Sequence, residues 1–347
     1  MGVAVDALTY HRSRRVAPPA LWRWIANSLG TPRWADGRRL YSGGGNSLGA
    51  VLSKRIPTGM GFEIEVPSSY QRLMEEAEAH IDASLEGRPK ARKMWDLLRA
   101  DPEVNACWDM ADYITTAKLR YNDHGEVHAK VVAANALRML DLLLDAGVLP
   151  DVVVDGRGDE DDAHLIVLAG GLLHDIGNQV HRREHNVAGV YLAIPILSRL
   201  LPEVYGRTEF AYEVRARILH CIYAHEFEVE DLTLESGLVG VADGTDMTKG
   251  RGRLAYDSGN VNIHTVSALS IDRVEIGRGK QRPVRITIQM SNSAGIFQVQ
   301  ETVGEKISHS PLRDHVELVA VSRPLGGDKD DRILQRLILT DGKWVAV

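Results

Sequence analysis

The stretch LLHDIG, residues 172–177, places a histidine and an aspartate side by side at the end of an apolar run. The run begins at His164 and predicts a buried helix, for which Gly177 is a stop signal. A helix of this kind brings the side chains of His174 and Asp175 to one interior point. A buried carboxylate is costly unless it is paired or bound to a metal ion. The pair therefore predicts either a hydrogen-bonded core dyad or part of a metal site.

More histidines and aspartates lie on both sides of this pair, near the predicted ends of other helices. They are His124, His128, His185, His220, His225, Asp243 and Asp246. Helix ends and starts let several helices of a bundle direct side chains into one cavity. Imidazoles suit Mn, Fe, Co, Ni or Zn, and carboxylates extend the choice to Mg and Mn. The set therefore favours a divalent metal site and leaves the identity of the metal open.

In chain order, part of this set resembles the motif of the HD-domain superfamily of metal-dependent phosphohydrolases. The matching residues are His128, His174, Asp175, His185, His225 and Asp243. The resemblance covers roughly residues 100–255 and implies one or two divalent metals per chain. It implies that His128, His174, Asp175 and Asp243 hold one metal, that His185 and His225 help to hold a second, and that Asp175 bridges them. His174 and Asp175 are thus the predicted catalytic centre, and two metals would activate a water for attack on a phosphoester.

The resemblance leaves three positions with competing candidates: His124 or His128, His220 or His225, and Asp243 or Asp246. It favours His128 because a valine follows four residues later, as in the family. It favours His225 because an isoleucine precedes it by three residues. Asp246 lies one helical turn beyond Asp243, so both carboxylates are expected near the site, with Asp246 as a candidate substrate contact.

A phosphorylated substrate requires positive charge near the metals. Candidate phosphate contacts flank the predicted ligands: Arg182, Arg183, Lys249, Arg251 and Arg253. Arginine binds phosphate oxygens in a bidentate manner. Many family members carry a lysine directly after the HDIG motif, but this chain has Asn178, so it is expected to lack that phosphate contact. Glu226 and Phe227 follow His225, where cyclic-di-GMP hydrolases carry a GYP motif, so that substrate is not assigned.

The expected activity is hydrolysis of a phosphoester of a small molecule, with a nucleotide as the first substrate class to test and manganese among the metals to supply. Two other functions use the same ligand pattern. An HD-type di-iron oxygenase would need iron and O₂ and would release no phosphate. A non-catalytic sensor would bind a nucleotide without turnover.

Changes in periodicity divide the chain into three parts. Residues 1–65 predict an N-terminal appendage, flexible in part, and residues 66–258 predict the helical HD domain. Residues 262–347 predict an accessory domain, because 284–290 alternate in strand fashion and 297–307 are helical in pattern. The predicted fold class is therefore α+β: an all-α HD-domain bundle followed by a small ferredoxin-like β-β-α-β domain, through which the chain is expected to form a homodimer.

Composition narrows the class of protein. The 347 residues are 44% hydrophobic and 25% charged, as in a globular protein with a core. A net charge of -6 argues against a nucleic acid as the main partner. Cys107 and Cys221 are the only cysteines, which fits a reducing cytoplasm. No run approaches the ~20 apolar residues of a membrane span, and no signal peptide is recognised. A cytoplasmic protein without a membrane partner is expected.

Overall fold

A short antiparallel pair of strands, β1 (Ser53–Pro57) and β2 (Glu63–Pro67), precedes the first helix. The structure, a computed structural model, describes residues 53–57, 63–247, 267, 269–322, 336–340 and 343–346. The predicted appendage of residues 1–65 therefore lies outside the described residues, apart from these two strands.

Helices make up the next part of the chain. They are α1 (Ser68–Ser84), α2 (Pro89–Ala100), α3 (Pro102–Asp112), α4 (Glu126–Asp145), α5 (Asp151–Val154), α6 (Glu160–Leu173), α7 (His185–Tyr205), α8 (Glu209–Ala224) and α9 (Leu234–Thr245). Their starts follow local chemistry. The Asp101 side chain accepts hydrogen bonds from the Glu103 and Val104 amides, and Pro102 opens α3. Asp159 and Thr233 form capping boxes at α6 and α9.

Helix α6 is the centre of the helical part. Every residue from Asp162 to Leu173 is buried, because α6 packs against α2, α4, α8 and α9. Two glycines allow the close approach. A Cβ atom on Gly170 would lie 2.7 Å from the Cys221 Cβ, and one on Gly171 would lie 2.9 Å from the Ala133 Cα. The apolar run that predicted a buried helix therefore forms the core element on which the other helices pack.

Within the described residues, α7 alone is long and apolar enough to cross a membrane by length and composition. A core helix can have the same properties. Ala193, Ile196 and Leu197 are buried on α7, and the helix packs against α8 and α2. Its first residue, His185, is also buried among the histidines described below. We therefore assign α7 to the helical core.

A five-stranded sheet follows the helices, so the predicted α+β class is confirmed. Its elements are β3 (Ile271–Arg278), β4 (Val284–Met290), α10 (Gly295–Val299), a π-helical turn (Gln300–Gly304), α11 (Glu305–Ser308), β5 (Val316–Ser322), β6 (Arg336–Thr340) and β7 (Lys343–Ala346). The strands lie in the order β3-β4-β5-β6-β7, with only β4 and β5 parallel. The β-β-α-β order is as predicted. The sequential arrangement of neighbours, however, differs from the interleaved arrangement of a ferredoxin-like sheet.

The helical segment between β4 and β5 packs on the helical core. Helix α9 contacts the π-helical turn and α11, and β3 contacts α4. The packing on α9 is close, because a Cβ on Gly244 would lie 3.2 Å from the Val303 Cγ2. Residues 51–347 accordingly cluster as one unit. The predicted boundary between residues 258 and 262 lies outside the described residues.

Candidate metal centre

Five helices bring their ends to one point in the helical core. His128 lies in the first turn of α4, His174 and Asp175 directly follow α6, His185 begins α7, His225 directly follows α8, and Asp243 lies in the last turn of α9. All four histidines and Asp175 are buried. These six residues are the ligands expected from the sequence, and the structure brings all six together. We call them the ligand cluster.

One half of the cluster is formed by His128, His174 and Asp243. The His128 Nε2 lies 3.1 Å from the His174 Nε2 and 3.1 Å from the Asp243 Oδ1. The Asp175 Oδ2 lies 3.3 Å from the His128 Nε2 and 3.4 Å from the His174 Nε2. Two ligands bound at about 2.1 Å to one ion, at angles of about 90–109°, lie about 3.0–3.4 Å apart. All four separations therefore match those between ligands of one metal, whereas the His174 Nε2 and the Asp243 Oδ1 lie farther apart, at 3.8 Å.

The other half is formed by His185, His225 and Glu226. The His185 Nε2 lies 3.0 Å from the His225 Nε2 and 3.2 Å from the Glu226 Oε1. The second oxygen of Asp175, Oδ1, lies 3.1 Å from the His185 Nε2 and 3.7 Å from the His225 Nε2. Asp175 therefore faces one half with each oxygen, the arrangement that a carboxylate bridging two metals requires.

The outer nitrogen of each cluster histidine is held by an oxygen. The Nδ1 of His128 lies 2.7 Å from the Asp246 Oδ2. The other three face backbone carbonyls: His174 that of Gly171 at 2.8 Å, His185 that of Arg182 at 3.0 Å and His225 that of Ile222 at 2.6 Å. Because Nδ1 donates its hydrogen to an oxygen in each case, the neutral ring keeps an Nε2 lone pair directed at the cluster.

The charge states of the cluster suit a cation. Burial alone would raise the pKa of Asp175, but the neighbouring His174, His124 and His128 hold that pKa well below its usual range. Burial would likewise raise the pKa of Asp243, but Lys306 and His128 keep it well below the usual range. Burial, together with His174 and His185, lowers the pKa of His225. At neutral pH the two carboxylates are therefore anionic and His225 is neutral, as metal ligands must be.

The surroundings of the Asp175 Oδ2 indicate whether these residues fit a metal. It is buried and has no hydrogen-bond partner among the described residues. An anionic oxygen in this position requires a positive partner, because a buried acceptor without one is costly. The residues therefore fit a divalent metal on each side of Asp175, and the donor set suits Mn, Fe, Co or Zn.

The competing candidates occupy other positions. The His124 Nδ1 lies 2.6 Å from the Asn122 carbonyl, and its ring is 5.5 Å from that of His128. The His220 Nε2 accepts a hydrogen bond from the Leu232 amide. The structure thus places His128 and His225 in the cluster. The sequence had left His124 and His220 as alternatives to them. Asp246 supports His128 from outside the cluster and also lines the small cavity described below, so its predicted contact with substrate stays a prediction.

The structure describes two of the five predicted phosphate contacts, Arg182 and Arg183. The Arg182 Nη1 lies 2.8 Å from the His185 Nε2 and 3.9 Å from the Asp175 Oδ1, so its guanidinium reaches the cluster. Arg182 also pairs with Glu226 at 3.1 Å. Arg183 is exposed. Lys249, Arg251 and Arg253 lie outside the described residues.

A cavity of about 230 Å³ opens beside the cluster. The helical part lines it with His124, Arg182 and Asp243, and the segment between β4 and β5 lines it with Gln298, Thr302 and Lys306. A larger cavity of about 770 Å³ lies between α1, α4 and β3 and contains Asp246 but none of the ligand cluster. We place the chemistry at the smaller cavity because it borders the ligands.

Two participants, Glu226 and Lys306, were not among the predicted site residues. Glu226 follows His225 directly, so its position beside a predicted ligand was an available signal. Lys306 carried no such signal, because it lies 63 residues from Asp243, the cluster residue that it contacts, and in a different part of the fold. Only the packing of the segment between β4 and β5 on α9 brings it to the cavity.

Replacing Asp246 with alanine is expected to lower metal affinity about 10- to 100-fold, because partners of metal-binding histidines typically contribute this much. His128 would lose the acceptor that directs its Nε2 into the cluster. Equilibrium dialysis against a metal series measures the affinity. Asp246→Asn keeps an acceptor oxygen and should lose less, whereas Asp314→Ala, at an exposed position, should lose nothing. Equal affinities in Asp246→Ala and wild type would contradict this role.

Comparisons with known proteins agree with the geometry. The family model described as HD domain matches residues 127–248. The chain is 44% identical over 237 residues to "Uncharacterized protein MJ1020" of Methanocaldococcus jannaschii, an alignment that covers 68% of this chain and 90% of the relative. No solved structure matches. The region matched by the family model, residues 127–248, contains all six predicted ligands.

Proposed function

Because the chain belongs to the HD-domain superfamily of metal-dependent phosphohydrolases, we propose that it hydrolyses a phosphoester of a small molecule, most simply a nucleotide. The observation that carries the proposal is the position of Asp175, whose two oxygens face separate groups of ligands. Bound there, divalent metals would supply a nucleophilic water near neutral pH and would neutralise charge on the phosphoryl oxygens.

The chain's own residues hold this arrangement in place. The Asn178 amide donates to the Asp175 Oδ1 at 2.7 Å and to the Asp175 carbonyl at 3.1 Å, which fixes the carboxylate between the two halves. Asn178 thus positions the bridging residue, at the place where other family members carry a lysine. Arg182 brings positive charge to the His185 side of the cavity, where it can bind a phosphoryl oxygen.

The shape of the cavity supports a substrate with a phosphoryl head and a larger remainder. Its volume of about 230 Å³ is below the ~300–1,000 Å³ of pockets that enclose drug-sized ligands. A phosphoryl group fits inside, and the rest of a nucleotide would extend through the mouth. Phe227 lines the cavity and is half exposed, so its ring offers a surface on which a base can stack.

The test is phosphate release from nucleoside mono-, di- and triphosphates and from a generic aryl phosphate, with Mn²⁺, Fe²⁺, Co²⁺, Zn²⁺ or Mg²⁺ added to protein stripped by a chelator. We expect turnover with at least one nucleotide, loss of turnover on chelation and recovery on addition of metal. The matched control is the same protein with the metal withheld.

Two outcomes would contradict the proposal in favour of the other HD functions. Consumption of O₂ by the iron form without phosphate release would indicate an oxygenase. Tight nucleotide binding without turnover in every metal form would indicate a sensor.

A further inference from the structure

The helical segment of residues 295–308, which we call the wall segment, forms one side of the cavity beside the metal ligands. Its side chains Gln298, Thr302 and Lys306 recur at intervals of four residues and line the cavity together. The segment is held closely to α9, since a Cβ on Gly244 would meet the Val303 backbone at 3.3 Å. The part of the chain that follows the helical core therefore completes the cavity.

Lys306 is the cationic group that the wall segment brings to the ligands, and Glu301 of the same segment also lines the cavity. Its side chain is 8% exposed, and its Nζ pairs with the Asp243 Oδ2. The other oxygen of Asp243, Oδ1, faces the His128 Nε2 at 3.1 Å. A buried ammonium is costly without an anionic partner. Lys306 is thus stabilised by one oxygen of a metal ligand while the other oxygen of that ligand stays directed at the cluster.

Lys306 and Arg182 lie at opposite halves of the ligand cluster. Arg182 pairs with Glu226 and reaches His185, whereas Lys306 pairs with Asp243 in the half formed around His128. Both line the same cavity. In the proposed function the substrate's phosphoryl group carries negative oxygens and would be bound between these halves, where metals held by the cluster would lie. The position after the HDIG motif supplies no cation, because it is Asn178 and its amide donates to Asp175.

We propose that Lys306 is a substrate-binding residue that contacts a phosphoryl oxygen, and that the wall segment is an integral part of the active site. This inference rests on the proposed function, because it takes the phosphoester as substrate. It assigns to the C-terminal part of the chain a direct role in binding the substrate.

The experiment compares Lys306→Gln with wild type as full-length, manganese-reconstituted proteins, using the nucleotide that gives turnover. A hydrogen bond to a charged group contributes enough that we expect KM to rise about 10- to 100-fold. Metal content should stay unchanged. Lys306→Arg should recover part of the loss. Lys90→Gln removes an ion pair with Asp159 and Asp162 between α2 and α6, away from the cavity, and should leave KM unchanged.

Binding of inorganic phosphate, measured by calorimetry on the same proteins, gives a readout that does not depend on turnover. We expect Lys306→Gln to bind phosphate more weakly by a similar factor. If wild type hydrolyses nothing, the proposed function fails, and the phosphate titration still tests Lys306.

Two results would overturn the inference. The first is unchanged phosphate affinity in Lys306→Gln, together with unchanged KM wherever turnover is seen. The second is loss of metal in that variant, which would show that Lys306 serves only to hold Asp243. If Lys306→Gln does not fold, Lys306→Met, of similar length and without charge, is measured in the same way.

Discussion

Replacing Asp175 with asparagine is expected to remove most of the bound metal and to lower kcat/KM at least about a thousandfold. Metal ions contribute several kcal/mol of transition-state stabilisation, and each 1.36 kcal/mol corresponds to a factor of ten in rate. The substitution replaces one oxygen of the bridge with an amide NH₂ group, which carries hydrogens and cannot bind a metal. Both halves of the cluster lose their shared ligand, because Asp175 faces His128 with one oxygen and His185 with the other.

Elemental analysis and phosphate release on the same preparation measure this effect. Thermal unfolding of the metal-free variant, beside metal-free wild type, shows whether the substitution affects the fold as well as metal binding. Loss of metal without loss of stability would therefore separate ligation from folding. Asp96→Asn, at an exposed pair with Arg99, is the control and should keep full metal content. Full metal content in Asp175→Asn would refute the bridging role.

Replacing Gly177 with alanine is expected to destabilise the fold by about 3–5 kcal/mol, the size of the most damaging single substitutions. A Cβ at this position would lie 1.8 Å from the His185 carbonyl oxygen and 2.5 Å from the Gly189 amide nitrogen. Both atoms are backbone of α7, so neither can move aside as a flexible side chain can. The turn after Asp175 and the first turns of α7 would have to separate, and His185 would move with them.

Thermal unfolding of the metal-free protein measures this destabilisation, which corresponds to a fall in Tm of about 10 °C. Gly277→Ala is the matched control, because a Cβ there meets nothing within 4 Å and the position lies in strand β3. Its Tm should stay within a few degrees of wild type. If Gly177→Ala unfolds at the Tm of wild type, α7 can shift without loss of stability, and the prediction is wrong.

Local chemistry made the helix ends predictable. The apolar run before His174 and Asp175 predicted a buried helix that ends at this pair, and α6 ends at Leu173. Asp101 and Pro102 are start signals of the same local kind, and α3 begins at Pro102. Such signals depend on residues within a few positions of each other, so they can be recognised without knowing the fold. The order of the six candidate ligands along the chain was predicted from the motif of the family that the chain resembles.

Tertiary structure decided which of the paired candidates enter the cluster. His124 and His128 are four residues apart, but only His128 lies within α4, where its ring faces His174 and its outer nitrogen meets Asp246. That acceptor is 118 residues away, so no local pattern could reveal it. The same holds for His225, whose orientation toward His185 depends on how α8 packs on α7.

The sequence by itself determined the family and the α+β class and predicted six candidate ligands, because each depends on residue type and short-range order. Only the tertiary structure placed Glu226 at the second half of the cluster, gave Asp246 its supporting role and brought Lys306 to the cavity. The physical reason is that a metal site is defined by atoms about 3 Å apart, and those atoms come from segments that meet only when the helices and the sheet pack.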